Sequence, residues 1–296
     1  YGEITSIQRS LNHTLGRDKS VFRVGAFPSA LSPNTEMFMG YQTVGGYTAL
    51  FLHRYYEYIN YYSEEALPRQ WQVLFYGRER RAILMDLLNV KYELSHDARQ
   101  ALFRKSCLPR AFIVPNSVVK EKEEILPLLT SPGFDPQRAV FFEPSAFSFV
   151  VHPSPSPGFS RSDSAQVVSY RPDRIQVRVS CPSPGYLFLS ENYYPGWKAF
   201  VDKGPVPILR GNYLFRVVPV PEGEHLVEVI FQPWSIRLGI AVTLLTLCCL
   251  AVYFLSLLTN LFLPPKTITS RQRKSVAREM AAPSRKGQET NRMTTS

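Results

Sequence analysis

The sequence predicts an α+β protein in three parts: an extracytoplasmic α/β domain, a β-sandwich and one C-terminal transmembrane helix. Three observations predict it. Strand-like and helix-like runs alternate between residues 18 and 144. Beyond residue 164 the apolar period drops to two, in seven short runs separated by turn residues. The window Leu238–Thr259 then carries 22 residues without a charge, which as a helix spans about 33 Å and crosses a bilayer core.

The 296 residues allow about two soluble domains. Residues 1–17 are polar and read as a connector. The chain opens on Tyr1 with no basic-then-apolar leader, so it is expected to be the C-terminal portion of a longer protein. In the α/β domain, 18–144, Ser20–Phe27 alternates as a strand. Aromatics at 47, 51, 55, 58 and 62 fall on one helical face. A second helix fits Arg78–Leu88, and strands fit Val90–Leu94, Arg110–Pro115 and Arg138–Glu143. A third helix fits Lys120–Leu129. Residues 145–164, rich in Pro and Ser, are a linker. The sandwich runs over 165–236 as AQVVSY, RIQVRVS, GYLFLSE, WKAFV, VPIL, LFRVVPV and EHLVEVIF.

The span occupies 237–263, with Trp234 and Arg237 as interfacial residues at its start. The tail, 264–296, holds eight lysines and arginines against Glu279 and Glu289, a net +6 of the formal +10. The positive-inside rule puts that tail in the cytoplasm and residues 1–236 outside it. The tail has no interleaved aromatics, so it reads as a disordered segment touching anionic lipid headgroups rather than nucleic acid. It contains no recognisable signalling domain, which argues against a receptor.

No metal or catalytic pattern stands out. The five histidines are scattered, and there is no H-E-x-x-H, C-x-x-C, G-x-S-x-G or phosphate loop. The expectation is no cofactor, no metal and no catalytic residue in this chain. Cys107 and Cys181 read as unpaired thiols, although a long-range bridge is chemically allowed outside the cytoplasm.

Two segments carry ligand-like chemistry. The loop with Asn34, Glu36, Tyr41, Gln42, Gly45, Gly46 and Tyr47 offers amides, hydroxyls and ring faces for a neutral sugar chain. Its simpler reading is a tight entry into the following helix. The stretch ENYYPGWKAFVD, Glu191–Asp202, offers Tyr193 and Tyr194 as stacking faces. There the simpler reading is a structural corner, with Trp197 in phase with Ala199 and Val201 and facing the core.

Leu189–Gly239 resembles the C-terminal signature of the YfhO-like bacterial membrane proteins: the aromatic-Pro-Gly-Trp strand, the Asn turn before a Phe strand, the Pro-x-Gly-x-His turn and the last helix. VGGYTALFLHRYYEY, LLNVKYEL and LPRAFIVP follow in the family's order. Lys203-Gly204 departs from it, since Gly-Lys is more usual there. That family is similar to GT-C glycosyltransferases. The resemblance implies a bacterial inner-membrane protein using a polyprenyl-linked sugar and a cell-envelope glycopolymer acceptor. The catalytic carboxylates would then lie in an upstream membrane domain absent from this chain. The chain's own part would be to position acceptor or support that domain. The alternative is a non-catalytic, membrane-anchored envelope binding or scaffold module.

Overall fold

A computed structural model describes residues 15–25, 40–47, 52–62, 73–74, 82–95, 100–145, 163–262, 274–275 and 277. The chain divides into two compact units, Tyr1–Pro233 and Trp234–Ser296.

In the first unit the described elements are, in order, β1 (Arg23–Gly25), β2 (Gly46–Tyr47), α1 (His53–Tyr62), β3 (Val73–Leu74), α2 (Ala82–Leu87), β4 (Val90–Leu94), β5 (Ala101–Phe103), β6 (Ala111–Val114), β7 (Asn116–Val119), α3 (Lys122–Leu129) and β8 (Ala139–Phe142). Eight strands follow: β9 (Ser164–Arg171), β10 (Arg174–Cys181), β11 (Gly185–Asn192), β12 (Trp197–Val201), β13 (Gly204–Val206), β14 (Leu209–Gly211), β15 (Phe215–Val220) and β16 (Gly223–Phe231). The run VPIL thus breaks into the ends of two strands.

A five-stranded sheet has the order β13-β12-β16-β10-β9, and a six-stranded sheet the order β6-β11-β15-β14-β8-β7. Between them lie Ile175, Val177, Val179, Val227 and Val229 from the first sheet, with Ala111, Ile113, Leu187, Leu189 and Val218 from the second. Strand β10 alternates as expected of a sheet with one wet face, burying Ile175, Val177, Val179 and Cys181.

The six-stranded sheet is covered on its other face too. Phe112, Phe188, Phe215 and Val217 pack there with Tyr58, Ile59 and Tyr62 of α1, Leu84 and Leu87 of α2, and Ile125 and Leu129 of α3. Strand β11 is accordingly buried at every position from Gly185 to Glu191. Two faces of burial demand an apolar run without alternation, and GYLFLSE supplies one.

The expected α/β segment ending at 144 and sandwich beginning at 165 share the six-stranded sheet. Strand β11 pairs with β6 on one side and with β15 on the other. The upstream strands complete the sandwich, and the helices form a third layer. A smaller sheet, β1-β4-β5, packs Leu15, Val24, Tyr92 and Leu94. Strands β5 and β7 were not anticipated. The helix expected from Tyr47 begins at His53, and Tyr47 lies in β2. The departure at Lys203-Gly204 is a local turn: Asp202 and Lys203 take φ of 48° and 73°, and Gly204 opens β13.

The second unit contains α4 (Trp234–Phe262). Its stretch Trp234–Thr259 is long and apolar enough to cross a membrane. All four cysteines are free. Burial pushes the thiols of Cys107 and Cys181 up to about 11, so both stay protonated at neutral pH.

Candidate functional site

The stretch ENYYPGW forms the end of β11, a turn and the start of β12, and each residue has a separate task. Glu191 points into a buried cluster of arginines. Arg110 Nε donates to Glu191 Oε1 at 2.7 Å, and Arg23 Nη2 donates to Oε2 at 3.3 Å. The Tyr170 hydroxyl donates to Oε1 at 2.8 Å. Arg23 Nη1 also donates to the carbonyls of Leu88 and Ser190, both at 2.8 Å. Arg216 Nε donates to the Asn192 carbonyl at 2.8 Å.

Three guanidinium groups therefore surround one carboxylate, and the backbone carbonyls satisfy much of the rest. Burial works to raise the Glu191 carboxyl. Arg23, Arg110 and Arg216 outweigh it and hold the group below the usual carboxylate range. Burial pushes Arg216 down to about 10. Its guanidinium lies 3.6 Å from the Trp197 ring centroid, a close cation–π stack. Trp197 is half-buried and packs against the core between the sheets, as its phase with Ala199 and Val201 predicts, with its ring shared between Arg216 and Phe231 at 5.1 Å.

The turn itself leans on the end of β16. Gln232 N donates to the Gly196 carbonyl at 2.7 Å. Gly196 has φ of +103°, and a Cβ there would sit 2.8 Å from Pro233 Cβ. Only glycine fits that backbone at that approach. The turn is thus fixed against Pro233, the residue bonded to Trp234 at the start of α4.

Tyr193 and Tyr194 line a cleft of ≈ 320 Å³. One wall is the start of α1, with Leu52, His53, Arg54 and Tyr55. The other is Asn192–Pro195, with Arg210 of β14 and Leu214. The first N–H groups of a helix lack intrahelical acceptors, so this wall carries partial positive charge. Arg54 is held by Glu143 through both carboxylate oxygens, with Nη2 to Oε2 at 2.9 Å. Arg210 stacks on Tyr193 at 4.6 Å from the ring centroid. Tyr55 donates its hydroxyl to the Val44 carbonyl at 2.5 Å, and burial pushes that phenol up to about 12. No acidic side chain lines the cleft among the described residues. Ring faces, hydroxyls and guanidinium groups suit binding; paired carboxylates for acid–base chemistry are missing from the lining.

The expected site residues divide. Tyr193 and Tyr194 reach the cleft together. Gln42 does not; its side-chain oxygen accepts from Arg110 at 2.7 Å in the buried cluster. Tyr41 packs on the small-sheet core. The Gly45 carbonyl accepts from Thr43 Oγ1 at 3.0 Å, and Gly46 and Tyr47 form β2. Asn34 and Glu36 lie outside the described residues. Sequence reasoning missed Arg54 and Arg210. Another cavity, ≈ 470 Å³, is basic, but most of its cations are engaged: Lys91 by Asp18, Arg104 by Asp86 and Glu93, and Arg110 by Glu191.

The turn, the cleft strands and the beginning of α4 fall in one stretch that matches a known family. Residues 160–243 match the family model described as bacterial membrane protein YfhO. The match covers under a third of the chain. It runs from before β9 into α4, so the YfhO-like stretch includes most of the sandwich, the aromatic turn and part of the candidate span. A YfhO-like protein with an apolar C-terminal helix is consistent with membrane association. None of the curated proteins and none of the solved structures matches the chain.

Proposed function

We propose that this chain is the extracytoplasmic C-terminal region and last span of a YfhO-like membrane glycosyltransferase of the GT-C kind, in the bacterial inner membrane. The longer protein moves a sugar from a polyprenyl-phosphate carrier onto a cell-envelope glycopolymer. This portion is non-catalytic and positions the acceptor. The observation that carries the reading is the tyrosine-lined cleft, whose aromatic-turn wall lies inside the YfhO-like stretch. Aromatic faces without a carboxylate pair suit holding a sugar chain, not cleaving or forming its bonds.

The purified full chain is expected to bind the glycopolymer yet transfer no sugar to it from a polyprenyl-phosphate donor. Turnover by the 296 residues alone would overturn the non-catalytic assignment, and failure to retain glycopolymer would overturn the positioning role. A membrane-anchored envelope binding module is the second reading, favoured by the same cleft. It separates from the first if the longer polypeptide also binds and never transfers. The sidedness rests on the +6 tail. A reporter fused after Ser296 that works only in the cytoplasm is expected to be active; activity confined to the outside would reverse the orientation.

A further inference from the structure

We propose that the cleft between α1 and the aromatic turn is a binding site for a phosphate group, with Arg210 as its principal ligand and Tyr193 and Tyr194 holding whatever the phosphate is attached to. The group can arrive on a lipid headgroup or on a soluble phosphate ester; the recognition chemistry is the same.

Arg210 carries the inference. Its guanidinium is half-buried and, among the described residues, takes part in no hydrogen bond and no ion pair. It lies over the face of Tyr193. The nearby carboxylate, Glu143, is already held by Arg54 through both oxygens. Two guanidinium groups at the cleft thus face one carboxylate, a net positive charge. Burial, and then the repulsion of Arg54, push the Arg210 guanidinium below its ordinary value, while Glu143 offsets part of this. A half-buried cation with no hydrogen-bonded anion among the described residues carries a cost that an entering anion reduces.

The chemistry favours an oxyanion such as phosphate over a bare halide. A guanidinium presents a planar fork of donors matched to two phosphate oxygens. The α1 end of the cleft adds partial positive charge on the same side. A volume of ≈ 320 Å³ is larger than one small ion needs, and its walls include Tyr194, Pro195, Leu52 and Leu214. That leaves room for a glycerol or sugar beside the phosphate. None of this depends on sugar transfer, and binding is measured directly, so the proposal and the transferase reading fail separately.

The test uses the full chain in neutral detergent micelles, titrated with dioctanoyl phosphatidylglycerol, inorganic phosphate and dioctanoylglycerol. The wild type is expected to bind the first two more tightly than phosphate-free dioctanoylglycerol. R210Q, which removes the charge and keeps the length, is expected to weaken both phosphate ligands about tenfold. The tail is identical in both proteins, so its own lipid affinity cancels. R210K keeps the charge but loses the fork, and is expected to fall between the two; it also serves if R210Q melts early. A stronger phosphatidylglycerol signal assigns the headgroup as the source, and a stronger inorganic phosphate signal assigns a soluble ester. Equal phosphate affinities in wild type, R210Q and R210K would overturn the proposal. So would a wild type that binds dioctanoylglycerol as tightly as phosphatidylglycerol.

Discussion

Glu191→Ala is expected to lower the stability of the first unit by about 3–5 kcal/mol, the usual result of removing one partner from a buried ion pair. Three guanidinium groups would then share a buried site with no carboxylate at its centre. Glu191→Gln keeps the shape and an acceptor oxygen, so it is expected to lose less. The pH dependence has a definite sign. The folded Glu191 carboxyl lies below its unfolded value of 4.5. Its contribution is therefore present above the unfolded value and is lost as pH falls through the folded one. Denaturant titration of the full chain in detergent measures both effects. A Glu191→Ala protein with wild-type stability and an unchanged acid limb would show that the cluster is held by its carbonyl contacts alone.

That cluster marks where sequence reading ends. Strand β4 was legible to the residue in VKYEL, and β10 was legible from strict alternation, because one wet face imprints period two. Helix α4 was legible because length and apolarity mark a candidate span. The unbroken apolar run of β11 carried a further signal, burial on both faces, which in hindsight contradicts a separate two-layer sandwich. Strand β5 left little trace, since Leu102 and Phe103 are exposed and the run is short. For the site, Tyr193 and Tyr194 were legible as an aromatic turn. Arg54 and Arg210 were not, because they come from a helix start and a three-residue strand far apart in the chain. Arg23, Arg110, Glu191 and Arg216 likewise have no local spacing that betrays their meeting. Gln42 was singled out as polar and adaptable, and those properties serve the arginine cluster instead of the cleft.

Phe188→Ala is the second large effect, and it tests the shared sheet. Phe188 is fully buried. Its ring stacks on Phe112 at 4.7 Å and meets Phe215 at 5.0 Å. Phe112 comes from the upstream strands and Phe215 from the downstream ones, and Tyr58 of α1 packs edge-on against Phe215 at 5.6 Å. Truncation leaves a cavity where both halves and the helical layer converge, at a cost of about 3–5 kcal/mol. If residues before and after the 146–162 stretch fold as one cooperative unit, a single unfolding transition moves down as a whole. Tyrosines on α1 and tryptophan Trp197 on β12 then report the same midpoint. Two transitions, with only the Trp197 signal displaced, would mean that the upstream α/β segment is stable by itself and that the shared sheet does not couple the halves. The expectation of one transition follows from β11. It takes hydrogen bonds from β6 on one edge and β15 on the other, so neither half can open without exposing the backbone of the same strand.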